Sequence, residues 1–140
     1  IKQSAAGLKN AGAFKTSHTL YGYAALKNAD DLHRQLACLQ SPLPQWQVFD
    51  EYCFGGFAKM NHDLARYIDA FEEEQSIPLD PVYTAKLCFA IEQQIRQGII
   101  PPGSNIVTLH TGGLQGRCGL QDWRVRNLPV DYQEPCRSYV

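Results

Sequence analysis

The chain has 140 residues, 44% hydrophobic and 19% charged, enough for one domain with a modest core. Its 13 basic residues balance 14 acidic ones to a formal net charge of -1 without a long run of either sign, which argues against nucleic acid or an anionic membrane as a partner. No apolar stretch approaches the ~18 residues of a membrane span, and no apolar signal segment separates Lys2 from Lys9.

The 5 cysteines (Cys38, Cys53, Cys88, Cys118, Cys136) are odd in number and form no C-x-x-C pair. Neither a disulfide framework nor a zinc site is expected, and a reducing, cytosolic setting fits best. The chain begins with Ile1 and not methionine, so it is expected to be processed or to be a piece of something longer.

In chain order, residues 1 to 22 are small and polar, with Gly7, Gly12 and Gly22, and read as loop with at most a short helix. Asn28 is a plausible cap for a helix over Ala29 to Leu39, which carries Leu32, Leu36 and Leu39 on one face before Ser41, Pro42 and Pro44 stop it. "WQVFDEYCF", residues 46 to 54, is aromatic and partly alternating, a strand ended by Gly55 and Gly56. Leu64, Ile68 and Phe71 recur at helical spacing and predict a helix from Asn61 to about Gln75, whose Glu72, Glu73 and Glu74 read as a solvated face.

The strongest helix signal follows. Asp80 can cap, Pro81 suits the first helical position, and Leu87, Ile91 and Ile95 form an apolar stripe up to Gly98. After the turn "IIPPGSN", the run "IVTLH" reads as a strand buried on both faces of a parallel sheet. Strand, helix, helix and strand in this order predict an α/β fold.

In such folds ligands bind beyond the carboxyl ends of strands, where glycines let the backbone approach closely. Gly112 and Gly113, beside Thr111, lie at such an end and are either a loop for an anionic or aromatic small molecule or simply a sharp turn. "PLDPVYTAKL" places Tyr83 and Thr84 in the first turn of a helix, where a phenol is either a proton donor and acceptor or a half-buried tyrosine with a satisfied hydroxyl. Lys86, three residues on and a helical neighbour of Tyr83, is either half of a Tyr/Lys pair or, as is commoner, a solvated lysine. His18, His33 and His62 are too scattered for a metal site, and Cys53 and Cys88 read as core thiols.

Taken together, "FGGFAK", "IPLDPVYTAK" and "LHTGGLQG" resemble the C-terminal part of the pyridoxal-phosphate enzymes grouped as 1-aminocyclopropane-1-carboxylate deaminase and D-cysteine desulfhydrase. The resemblance covers roughly residues 1 to 120 and is strongest from Asp50 to Gly116. It implies a tryptophan synthase β-like fold (fold type II), with residues 1 to 120 forming the later part of the large cofactor domain and 121 to 140 an unmatched tail. It also implies a cytoplasmic homodimer that binds pyridoxal 5'-phosphate and a small amino acid, without a metal.

By position, the resemblance makes Tyr83 the active-site tyrosine and sets Thr84, Thr111, Gly112 and Gly113 beside the cofactor. Thr84 stands where ring-opening deaminases are expected to carry a glutamate facing the pyridine nitrogen. A hydroxyl cannot hold that nitrogen's proton by charge, so threonine tilts the reading from ring opening toward β-elimination from a D-amino acid such as D-cysteine. Phe57, on the substrate side, replaces the usual tyrosine and loses its hydroxyl. None of Lys2, Lys9, Lys15, Lys27, Lys59 or Lys86 matches the family's Schiff-base lysine.

These residues are therefore expected to be inactive alone and part of a lyase or deaminase. The alternative from another class is a non-catalytic, dimer-forming α/β module. A generic nucleotide-binding domain would rest on the glycine pair alone.

Overall fold

The computed structural model describes residues 18–27, 30–38 and 45–127. Strands β1 (Thr19–Tyr23) and β2 (Gln45–Phe49) pair in parallel, with Thr19 opposite Gln45 and Tyr23 opposite Phe49. Parallel strands need a crossover, and α1 (Asp30–Ala37) lies within it. Helices α2 (His62–Gln75), α3 (Thr84–Arg96) and α4 (Arg117–Asn127) complete a mixed α/β arrangement. No helix among the described residues is long and apolar enough to cross a membrane.

The core forms where α2, α3 and α4 meet. Leu64, Ala65 and Ile68 of α2 bury against Leu79, Ala85 and Leu120, with Phe54, Tyr67, Phe71, Phe89 and Trp123 packed around them. Phe89 receives Phe54 and Tyr67 edge-on at ring-centroid separations of 5.1 and 5.3 Å. Asn61 starts α2 as its sequence predicts, its side chain accepting the Leu64 N–H at 2.9 Å. The sheet is tied to α3 by the Tyr23 hydroxyl, which donates to Gln94 Oε1 at 2.5 Å.

Several expectations need correction. Thr19 to Tyr23 form a strand where a loop was expected, because pairing with a distant partner outweighs weak local patterning. The strand expected over 46 to 54 ends at Phe49, and residues Glu51–Cys53 turn as a short 3-10 helix. The predicted start at Asp80 and Pro81 becomes a turn, and regular helix begins at Thr84.

The face of α3 that packs inward is also not the predicted one. Thr84, Ala85, Lys86, Ala90 and Gln94 are buried, whereas Leu87 and Ile91 are half-buried and Ile95 is exposed. The small side chains allow close approach to the core, and polar contacts at Thr84 and Lys86 set the helix's rotation.

"IVTLH" is not a strand. Residues 106–110 are exposed, Val107 to 84%, and have no ladder partner among the described residues. A parallel strand needs neighbours to satisfy its backbone, and an apolar run alone does not supply them.

The start of the tail left unmatched by the resemblance continues α4 to Asn127, with Trp123 packed against the core. Arg124 pairs with Asp69 on α2, and the His62 ring meets Trp123 at 5.1 Å. Glu72 is not simply part of a solvated face, since it bonds Arg117 at 2.5 Å. The expectations for residues 1–17, for Asn28 and Leu39, and for 128–140 lie outside the described residues.

Candidate functional site

Asp80 organises the site. Its carboxylate, 1% exposed, accepts the N–H groups of Val82 at 3.2 Å, Tyr83 at 2.6 Å and Thr84 at 3.3 Å. Val82 and Tyr83 lie in the turn that leads into α3 and Thr84 is its first residue, so these N–H groups would otherwise have no intrahelical acceptor. Thr84 closes the turn from the other side, its hydroxyl accepting the Asp80 N–H at 2.8 Å. The positive end of α3 is thus already filled by a carboxylate from its own chain.

Asp80 also joins two distant sequence blocks. A Cβ built on Gly113 would touch the Asp80 carboxyl carbon at 3.4 Å, and one on Gly116 would overlap a carboxylate oxygen. Gly116 has no room for a side chain, so the "HTGGLQG" loop can pack directly on the "LDPVYT" turn. Ahead of that contact, His110 Nε2 lies 3.0 Å from the Pro78 carbonyl and Gly112 N–H donates to Nδ1 at 3.3 Å. A carbonyl only accepts, so the ring is in its Nε2–H tautomer. Past the contact, Arg117 donates to the Leu79 carbonyl at 2.9 Å. Thr111, Gly112 and Gly113 are therefore held between fixed points, with Thr111 exposed.

The "FGGFAK" block reaches the same helix from its other flank. Lys86 is 3% exposed, and its Nζ donates to the carbonyls of Cys53 and Gly56, each at 2.8 Å. Burial holds its ammonium below the ordinary lysine range, opposed by its interactions with Cys53 and Asp80. The expectation of a solvated lysine is therefore overturned. Tyr83 is 52% exposed and so does not share that environment. The Tyr83 ring instead meets Phe57, itself 55% exposed, edge-on at 6.0 Å.

The structure thus brings Tyr83, Phe57 and Gly113 to the N-terminal end of α3, with Thr111 and Gly112 in the loop that Gly113 anchors there. Thr84 lies there too, but it is 2% exposed and its hydroxyl is engaged with Asp80. Cys53 is buried and Cys88 half-buried, the latter's thiol pushed up by burial. No three His, Cys, Asp or Glu side chains gather as a metal site would require, among the described residues. Sequence reading found Asp80 as a cap but not as the contact between loops. The signal was present in the spacing of Gly113 and Gly116, which leaves room on one side of a turn.

Three Pyrococcus proteins resemble this chain. Each carries the name "Putative 1-aminocyclopropane-1-carboxylate deaminase". The protein of Pyrococcus abyssi is 28% identical over 91 residues, 65% of this chain and 27% of its own length. Those of Pyrococcus horikoshii and Pyrococcus furiosus are 35% and 32% identical over 66 residues, in each case 47% of this chain and 20% of the relative. The chain thus spans between a fifth and about a quarter of the length of these curated relatives. No protein-family profile matches it. No solved structure matches it either.

Proposed function

We propose that these residues form part of a pyridoxal-phosphate-dependent lyase or deaminase of fold type II that acts on a small amino acid, as a homodimer. The observation that carries the reading is the meeting of three separated sequence blocks at the start of α3, where the exposed Tyr83 ring meets Phe57 and the Asp80 that holds the Tyr83 N–H is packed by Gly113 and Gly116 of the third block. The names of the Pyrococcus relatives support the same class.

The residues fit the cofactor in part. Thr111 and Gly112 are open to a ligand, and a Cβ on Gly112 would meet nothing within 4 Å. Thr84 does not fit, because its hydroxyl is buried against Asp80. Lys86, bonded to two carbonyls, does not present a free amine for covalent attachment. This chain thus supplies the substrate-side tyrosine and one flank of the cofactor.

When bound, pyridoxal phosphate supplies an electron sink for the carbon next to the substrate amino group. The chain's own part is acid–base. The Tyr83 phenol donates or accepts a proton at the substrate, and the Phe57 ring edge limits how the phenol can swing. Thr111, exposed between the His110 and Gly113 anchors, would offer its hydroxyl to the bound cofactor. The two candidate reactions are β-elimination from a D-cysteine-type substrate, releasing an α-keto acid, ammonia and sulfide, and ring opening of 1-aminocyclopropane-1-carboxylate; Thr84, turned into Asp80, does not choose between them.

A non-catalytic module is the second reading, favoured by Phe57, whose ring offers no hydroxyl to a substrate. The deciding experiment loads the full-length protein with pyridoxal phosphate and follows its near-visible absorbance as D-cysteine or 1-aminocyclopropane-1-carboxylate is added, with sulfide and ammonia assayed. A band that shifts with substrate alongside product release supports the enzyme. A flat spectrum without product leaves the module.

A further inference from the structure

The turn that carries Phe57 has unusual backbone geometry. Phe54, Gly55 and Gly56 all have positive φ, at 52°, 96° and 126°, and Ala58 follows at 53°. Phe54 and Ala58 have no glycine freedom there, so the turn must be held by its surroundings. Its own hydrogen bonds are few: Gly56 N–H donates to the Cys53 carbonyl at 3.0 Å, and Lys59 N–H to the Gly56 carbonyl at 3.2 Å. The same two carbonyls receive Lys86 Nζ, each at 2.8 Å.

Lys86 lies one helical turn beyond Tyr83 on α3, and Phe57 directly follows Gly56. The Phe57 and Tyr83 rings then touch, at 6.0 Å between centroids. The contacts form a closed circuit: helix to ammonium, ammonium to turn, turn to Phe57, Phe57 to Tyr83 and back to the helix. Burying an ammonium in a place that an apolar side chain could fill is unfavourable in itself, so the circuit needs the two donated bonds at this position.

We propose that Lys86 is a positioning residue that locks the Cys53–Gly56 turn and thereby fixes Phe57 against Tyr83; its effect on turnover rests on the reading of Tyr83 given above. Lys86 touches neither substrate nor cofactor in this role. It acts only through the turn.

The test is a double-mutant cycle on the full-length protein loaded with pyridoxal phosphate, with kcat and KM for D-cysteine measured in the wild type, Lys86→Met, Phe57→Ala and the double variant. Lys86→Met is expected to lower kcat about 10-fold or more, because small misplacement of a reacting group is costly. In the Phe57→Ala background the same substitution should lower kcat less than about twofold, since the contact through which Lys86 acts is gone. Equal effects in the two backgrounds, or an undiminished kcat in Lys86→Met, overturn the proposal. Where Lys86→Met yields too little folded protein, Lys86→Arg, which keeps donors but displaces them, is carried through the same cycle under the same criteria.

If the wild type turns over no amino acid, the functional reading fails by itself. Lys86 is then judged by the fluorine NMR signal of 4-fluorophenylalanine placed at position 57. A shift that collapses toward the free amino acid in Lys86→Met, at unchanged helix content, supports the lock. An unchanged shift overturns it.

Discussion

Replacing Asp80 by alanine removes the acceptor for three N–H groups at the start of α3. They are not equal. Tyr83 N–H, at 2.6 Å from a carboxylate oxygen, makes a short charge-assisted bond, whereas Val82 and Thr84 at 3.2 and 3.3 Å are held weakly. A lost cap costs about 1 kcal/mol on average and up to ~2 where it is well made. An unsatisfied buried donor adds about 1–3 kcal/mol, and removing a carboxylate from a site only 1% exposed returns part of that sum. The net expectation for Asp80→Ala is a loss of about 2 kcal/mol, roughly a 30-fold shift in the folding equilibrium. Asp80→Asn keeps one oxygen for Tyr83 and should lose about 1 kcal/mol. Urea unfolding followed by circular dichroism gives both values. Amide exchange at Val82, Tyr83 and Thr84 should accelerate in Asp80→Ala before the rest of α3 is affected. A loss below about 0.5 kcal/mol would show that solvent replaces the carboxylate freely and that the turn is not organised by it.

Leu120→Ala should destabilise the protein by about 2–5 kcal/mol, since Leu120 is fully buried against α2; a urea midpoint equal to wild type would detach α4 from the core. Thr84→Glu puts a second carboxylate beside Asp80 in a site 2% exposed and removes the hydroxyl that accepts the Asp80 N–H, so the melting temperature should fall sharply; an unchanged value would show that this turn accepts the glutamate. Burial and, less strongly, Cys88 and Glu92 raise the Tyr67 hydroxyl above its ordinary 10.0, so the unfolded chain loses that proton first and stability falls as pH rises past 10.0. Tyr67→Phe should flatten the fall in unfolding midpoint across that alkaline range, and an equally steep fall would assign it to other groups.

What was legible in the sequence is what local chemistry decides. Asn61 marks the start of α2 because a short polar side chain before an apolar period satisfies a helix N–H group within its own turn, whereas Asp80 organises the turn that precedes α3 rather than its first residue. The Leu64–Ile68 stripe is core for the same reason of local period. What was not legible depends on partners far along the chain. β1 needs β2, 26 positions away in register from Thr19 to Gln45, and its own five residues carry little sign of it. "IVTLH" errs in the opposite direction, apolar enough for a strand yet without neighbours in the described structure. Lys86 was misread because lysine's usual solvation is a statement about side chains without special partners, and its two carbonyl acceptors come from a turn about 30 residues earlier.

The two buried charges at the start of α3 explain how the site holds its shape. Asp80 and Lys86 are each almost wholly buried, and neither is satisfied chiefly by the other. Asp80 is met by backbone N–H groups and Lys86 by backbone carbonyls. Each charge therefore fixes a stretch of main chain, Asp80 the turn beneath Tyr83 and Lys86 the turn before Phe57. Two side chains of opposite sign, one on each flank of a helix start, can set the separation of two exposed aromatic rings more firmly than packing alone, because a hydrogen bond to a buried charge tolerates little displacement. Thr84 belongs to this arrangement. A hydroxyl can accept the Asp80 N–H without adding a second buried negative charge, and a carboxylate there would have to displace that balance. Threonine at position 84 thus has a structural role in this chain, set by Asp80.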